Sequence, residues 1–290
     1  METKRYPLTE EVDGVDGYII PFDLDTFDFE KLNDLPKNSI NILMVGLWTP
    51  LQEIWIKNNL ENIIVATIRE WNIENYFKLK NIYEKEFNFY LFTNYEELNY
   101  ENIKKINPKY IFFPHLSWLI PNEIYKNYEC ILFHMTDLPY GRGGSPLQNL
   151  ITNKIYNTKI TAIKVSKELD EGDIYLKEDF DISKGSAKEI YENASNLIFK
   201  KLIPNIIKKN IVPKKQEGDI VLFKRRTPEQ SNIKTLNDIS INNLYDFIRM
   251  LDAPSYPKAY LELDNLKIEL FEVIIKDGKL EGRFEVSKDE

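Results

Sequence analysis

Residues 130–173 read CILFHMTDLPYGRGGSPLQNLITNKIYNTKITAIKVSKELDEGD. Residues 131–133 form a short apolar run that predicts a buried strand, and His134 stands where that strand ends. In open α/β sheets, ligands bind in the crevice at the carboxyl ends of the strands. Gly141, Gly143 and Gly144 follow, letting the backbone turn sharply and approach a ligand closely. Ser145 and Pro146 predict an N-cap with proline at the first helical position, opening a helix over 147–153. Residues 160–165 and 174–175 predict two strands that flank a loop containing Asp170.

Working outward, apolar runs at 40–45, 63–66, 90–92, 110–113 and 131–133 alternate with helical patterns at 50–60, 73–85, 95–106 and 121–127. That rhythm predicts an α/β class with a Rossmann-like, mostly parallel sheet covered on both faces. No Gly-x-Gly-x-x-Gly follows the first run, and Gly46 alone does not support dinucleotide binding. A long helical pattern opens at Gly185-Ser186-Ala187, and a cluster of proline, lysine and glycine marks a boundary near 210–218. Beyond it a small, mostly β C-terminal domain is expected. It has one helix at 242–251, strands at 259–263, 266–275 and 280–286, and turns at Asp264-Asn265 and Asp277-Gly278. The expected organisation is an N-terminal extension (1–38, with a short edge strand near 18–21), a catalytic domain (39–210) and the small domain (211–290).

The chain has 290 residues, 38 Lys and Arg, 46 Asp and Glu, and a net charge of −8. That balance argues against a partner bound through phosphate neutralisation, so no nucleic acid is expected. The lone cysteine, Cys130, rules out an intramolecular disulfide and a cysteine-rich metal site, and its place on a strand predicts a buried thiol. The polar, acidic N-terminus has no leader-like pattern, and no run reaches the length of a membrane span. A cytoplasmic protein without a membrane partner is expected.

His134-Met135-Thr136-Asp137-Leu138-Pro139, then Gly143, Pro146 and Gln148, then Leu169-Asp170-Glu171-Gly172-Asp173, resembles the signature of the N10-formyltetrahydrofolate-dependent formyltransferases. Asp170 follows His134 by 36 residues, the family's spacing, and the segments at 224–229 and 247–254 are also similar to the family. The resemblance implies a formyl transfer to an amine with N10-formyltetrahydrofolate as co-substrate and no metal. It implies His134 as general base and Asp170 as its partner, since imidazole titrates near neutrality. One position departs: the family's Asn-x-His is Leu132-Phe133-His134 here, and leucine cannot donate to the formyl oxygen. His115, ending the neighbouring strand, is the expected replacement, either donating to that oxygen or positioning the acceptor. Leu132, Thr136, Leu138 and Gly172 are expected to line the folate side. Tyr140, Arg142, Gly143 and Arg225 are expected on the substrate side, with Arg142 able to reach a phosphate. Trp118 and Tyr256 are candidate stacking residues, and Asp173 shapes the loop.

Residues 214–290 carry 13 Lys and Arg against 15 Asp and Glu. The expected acceptor is therefore a nucleotide-linked amino sugar, a UDP-4-amino-4,6-dideoxy sugar of the pseudaminic-acid type, rather than a tRNA. A divergent methionyl-tRNA formyltransferase and a non-catalytic folate or nucleotide-sugar binding protein are the alternatives, and a homodimer is left open.

Overall fold

A computed structural model describes residues 60–115, 118–254 and 256–288, with two short strands before them. The chain divides into two compact units, Met1–Trp55 and Ile56–Glu290. In the first, β1 (Tyr6–Pro7) pairs antiparallel with β2 (Tyr18–Ile19). The expected strand at 40–45, helix at 50–60 and boundary at residue 38 lie outside the described residues.

The second unit is built on six strands: β3 (Glu61–Ala66), β4 (Phe87–Phe92), β5 (Tyr110–Phe113), β6 (Cys130–His134), β8 (Asn157–Lys164) and β9 (Ile174–Asp181). Their order is β4-β3-β5-β6-β8-β9. The first four are parallel; β8 and β9 are antiparallel to their neighbours. β3 pairs with both β4 and β5.

Alternation explains why these runs are apolar throughout. Ile63, Val65, Phe112, Ile131 and Phe133 enter one core, whereas Ile64, Ala66, Ile111, Phe113 and Cys130 enter another on the opposite face. The first face is covered by α1 (Glu70–Tyr83) and α5 (Ala187–Leu197), joined where Asn75 donates to the Ser195 hydroxyl at 2.9 Å. The second is covered by α2 (Tyr100–Ile106) and α3 (Asn122–Asn127) through Ile103 and Ile124. Cys130 is 1% exposed, and burial pushes its thiol up to about 12. The helix expected over 95–106 is broken: Asn94 caps a 3-10 turn at Tyr95–Glu97 and Asn99 caps α2 afresh. A capping box between Ser186 and Glu189 starts α5. It runs through a π-turn at Ile198–Leu202 into α6 (Ile203–Lys209), where Pro204 supplies no backbone donor.

The glycine turn is itself a strand, β7 (Tyr140–Gly143), paired in parallel with β10 (Val221–Phe223). Residues 211–227 thus lie along the large sheet's flank, with Lys214 also bridging to Ile174. The C-terminal part holds α7 (Ile241–Arg249) and an antiparallel sheet of β11 (Ala259–Leu263), β12 (Leu266–Lys276) and β13 (Lys279–Lys288). Asp277 and Gly278 both take positive φ at the β12–β13 turn, as an Asp-Gly hairpin requires.

One ionic node ties α7 to the large sheet. Arg249, 1% exposed, donates to Asp246 at 2.8 Å and to the carbonyls of Ile182 and Gly185 at 3.1 and 3.0 Å. Asp246 also accepts from Tyr156 and Lys154. Burial alone would raise the Asp246 carboxyl, but its bonds to Tyr156, Lys154 and Arg249 outweigh that and hold it below the usual range. Asp246→Asn should destabilise the fold by about 1–3 kcal/mol in denaturant titrations near neutral pH. Because the folded-state value is depressed, this stabilisation is present above the unfolded carboxyl's value of about 4 and is lost as pH falls through the folded one. The gap between wild type and variant should therefore close in acid.

Candidate active site

β6 delivers His134 to the carboxyl edge of the sheet, and the loop between β8 and β9 delivers Asp170. Their side chains are buried, with His134 Nδ1 3.5 Å from Asp170 Oδ2. The same carboxylate oxygen accepts the Gly143 N–H at 2.9 Å, and His134 Nε2 stands 2.8 Å from the Gly141 carbonyl oxygen. Each ring nitrogen thus faces an acceptor. A neutral ring has one N–H and satisfies only one of these two acceptors, whereas a protonated ring would satisfy both.

Glycine is required here on steric grounds. Gly141 and Gly143 have φ of 76° and 110°, and a Cβ on Gly143 would meet the Phe223 carbonyl oxygen at 2.3 Å. Gly172 presses on the Lys164 carbonyl, where a Cβ would fall at 1.6 Å. Asp170 holds a left-handed φ of 55°, fixed by bonds on its flanks: Gln216 donates to the carbonyls of Asp170 and Gly172 at 2.7 and 2.9 Å.

Arg142 is committed within the chain, whereas the sequence reading offered it to a phosphate. Nη1 donates to Glu171 at 2.8 Å, and Nε and Nη2 donate to the Gln216 amide oxygen at 3.0 and 2.9 Å. It clamps the Asp170 loop to the glycine turn. Gln216 completes that clamp and was missed, because a glutamine within Lys214-Lys215-Gln216-Glu217 carries no local signal. Leu138 is fully buried, and the Tyr140 ring packs edge-on against Phe223 at 5.5 Å, so both build the core under the turn. The Thr136 hydroxyl reaches the Gly141 carbonyl at 3.4 Å. Leu132 and Trp118 both pack against the second core, and the Trp118 ring meets Tyr95 edge-on at 5.8 Å. Arg225 is exposed, with its backbone against Gly144. Asp137 pairs with Lys177, and the Asp173 carbonyl accepts the Lys164 N–H.

The predicted helix is present as α4 (Pro146–Thr152), with proline at its first position. Ser145 does not cap it through its side chain. Its φ is 50°, and its hydroxyl accepts instead from the Arg226 N–H at 3.1 Å and from Tyr256 at 3.4 Å. His115, also left-handed at φ 51°, lies in the turn two residues after β5 ends at Phe113, which pairs with Leu132. Its contacts are with Tyr191, edge-on at 5.3 Å, rather than with the His134–Asp170 pair. Burial, then the Arg69 cation, holds its imidazole down to about 4.

Among the described residues no group of His, Cys, Asp and Glu is arranged to hold a metal, and no helix is long and apolar enough to cross a membrane.

This site can be set beside known proteins. The solved structure of a methionyl-tRNA formyltransferase from Clostridium thermocellum is 48% identical, with a TM-score of 0.76, over 79% of this chain and all of that one. The chain belongs to the formyltransferase family. Residues 228–287 match the profile of the methionyl-tRNA formyltransferase C-terminal domain. The methionyl-tRNA formyltransferase of Rickettsia canadensis (strain McKiel) is 30% identical over 174 residues, 59% of this chain and 56% of that protein. The chain spans 56–61% of the length of the first curated relatives it matches. A sugar N-formyltransferase from Shewanella, at 15% identity and a TM-score of 0.57 over 77% of this chain and 96% of that one, shares the fold.

These likenesses overturn the expected sugar acceptor of the pseudaminic-acid type and the expectation of no nucleic acid. The matching C-terminal profile and the 48% identical structure both carry the name methionyl-tRNA formyltransferase. The fault lay in averaging charge over 77 residues (214–290). Polyanion binding responds to the cations that face the phosphates, and acids on another surface leave it untouched.

Gln216→Ala would strip partners from two loop carbonyls and from the Arg142 guanidinium. It should cost about 1–3 kcal/mol in denaturant titrations. It should also slow formyl transfer, because the Asp170 carboxylate loses its fixed approach to His134. Wild-type turnover in that variant would show that the clamp has no part in catalysis.

Proposed function

We propose that this formyltransferase moves the formyl group of N10-formyltetrahydrofolate to the α-amino group of methionine carried on tRNA. The observation that carries the reading is the 48% identity over the whole length of the Clostridium thermocellum methionyl-tRNA formyltransferase. The match of residues 228–287 to the profile of the methionyl-tRNA formyltransferase C-terminal domain supports it.

In this reading the neutral amine attacks the formyl carbon and forms a new C–N bond. The carbonyl oxygen gains charge, the attacking nitrogen gives up a proton, and the bond from carbon to N10 breaks as N10 takes a proton. His134 accepts the amine's proton, and Asp170 orients the ring and stabilises its cationic form across the 3.5 Å between them. Asp170 keeps one position through the step because Gly143 and Gln216 hold it from two sides. Leu132 offers the formyl oxygen no donor, so the developing charge is met from other elements of the crevice. On the folate side stand Leu132, Thr136 and Gly172, and on the acceptor side Gly143 and Arg225.

The test is formyl transfer from N10-formyltetrahydrofolate to methionyl-tRNA by the purified full chain. His134→Ala and Asp170→Asn should each lower the rate about 10²–10⁴-fold. The acceptor's KM should climb steeply with salt, as phosphate contacts require. Absence of transfer to methionyl-tRNA by the wild-type protein, with folate bound, would reject the reading.

A further inference from the structure

The segment that follows His134 is fastened to the two strands beside it. In the antiparallel pairings His134 lies opposite Thr161 on β8, and Thr161 lies opposite Lys177 on β9. Directly paired residues project to the same face, so the three side chains form one row across the sheet. Residues 136–141 run out along that row and return to its start.

Each step is marked by a bond. The Thr161 hydroxyl donates to the Thr136 carbonyl at 2.6 Å. The Lys177 ammonium donates to the Leu138 carbonyl and to the Asp137 carboxylate, both at 2.5 Å. The Tyr140 N–H closes the return turn on the Asp137 carbonyl at 3.1 Å. The Thr136 hydroxyl reaches the Gly141 carbonyl at 3.4 Å, and that oxygen stands 2.8 Å from His134 Nε2. A path of hydrogen bonds therefore leads from the row back to the imidazole.

The strand itself has no need of a hydroxyl at 161. Thr161 is 0% exposed, Ile160, Ala162 and Ile163 are buried around it, and valine has the same shape and a strand preference. Its hydroxyl is spent on the Thr136 carbonyl, and a buried carbonyl without a donor is costly, so the bond fixes where residue 136 sits. Charge at the imidazole comes from Asp170, the carboxylate facing Nδ1, while Lys177 with Asp137 and Arg142 with Glu171 are internally paired. The Gly141 carbonyl is the acceptor on the other side, and its placement decides how the ring is turned.

We infer that Thr161 and Lys177 are positioning residues of formyl transfer, holding the 136–141 strap so that the Gly141 carbonyl sets the orientation of the His134 ring. The inference rests on His134 as the base in the proposed function and on no particular acceptor.

NMR of the full chain with nitrogen-labelled histidine tests it, since the chain has 2 histidines and His115→Gln tells their signals apart. His134 should carry on Nε2 a proton that exchanges slowly with water. Thr161→Val should speed that exchange and lower kcat for formyl transfer, each by about threefold to tenfold, with KM for N10-formyltetrahydrofolate unchanged. Thr161→Ser keeps the hydroxyl and should restore both. Lys177→Met combined with Asp137→Asn removes the outer anchor as a neutral pair and should act in the same direction, which keeps the test open where Thr161→Val does not fold. Unchanged exchange in the variants, a proton on Nδ1 alone, or a loss that Thr161→Ser leaves unrepaired would overturn the inference. The spectrum needs no acceptor. A Thr161-dependent Nε2 proton without transfer to methionyl-tRNA would reject only the proposed function, and transfer with an unchanged spectrum only this inference.

Discussion

One carboxylate oxygen holds the centre of this molecule together. Asp170 Oδ2 accepts the Gly143 N–H and faces the His134 ring, while the Asp170 backbone is pinned by Gln216. A buried carboxylate is costly unless hydrogen bonded, so the loop after β8 and the glycine turn after β6 must meet. They can meet only because Gly143 and Gly172 carry no Cβ where backbone carbonyls press in. Arg142 and Gln216 then lock the junction with five donated bonds, to Glu171, to Gln216 itself and to the two loop carbonyls. The C-terminal segment therefore takes part in shaping the site, since Gln216 and β10 both come from it.

The parallel strands converge on the same edge. β3 ends before Arg69 and Trp71, β5 before His115 and β6 at His134, so these side chains start from one edge of the sheet. In the proposed transfer the general base must meet one nitrogen with hydrogen-bond accuracy, whereas the bulk of a charged acceptor can be held at a distance from the chemistry.

Much of this was legible in the sequence because it depends on local pattern. The apolar runs that became β3, β5 and β6, proline at the start of α4, and the Asp-Gly hairpin all follow from neighbours a few residues apart. The His134–Asp170 pairing was legible only through the family's spacing. Other features depend on partners far along the chain. β7 is four residues rich in glycine and pairs with β10 some eighty positions away, so no periodicity marks it. Ser145 looked like an ordinary cap, but Arg226 claimed its hydroxyl. Arg142 looked free in a glycine turn, but a glutamine 74 positions later took two of its nitrogens.

Charge shows the same limit most sharply. The net −8 of the chain describes its far field, which governs solubility and the approach of other molecules. Binding a polyanion is decided within about a Debye length, about 8 Å at physiological salt. Within the described residues the arginines sort by place. Those that brace the fold or its loops are paired with Asp246, Glu171 or Glu272, while Arg69, Arg225 and Arg226 beside the crevice have no carboxylate partner. The acidic surplus elsewhere does not cancel them, because opposite charges beyond the screening distance act independently. An acidic protein can thus present a local cationic crevice. Its −8 would slow the approach of a nucleic acid more than it would weaken the bound complex.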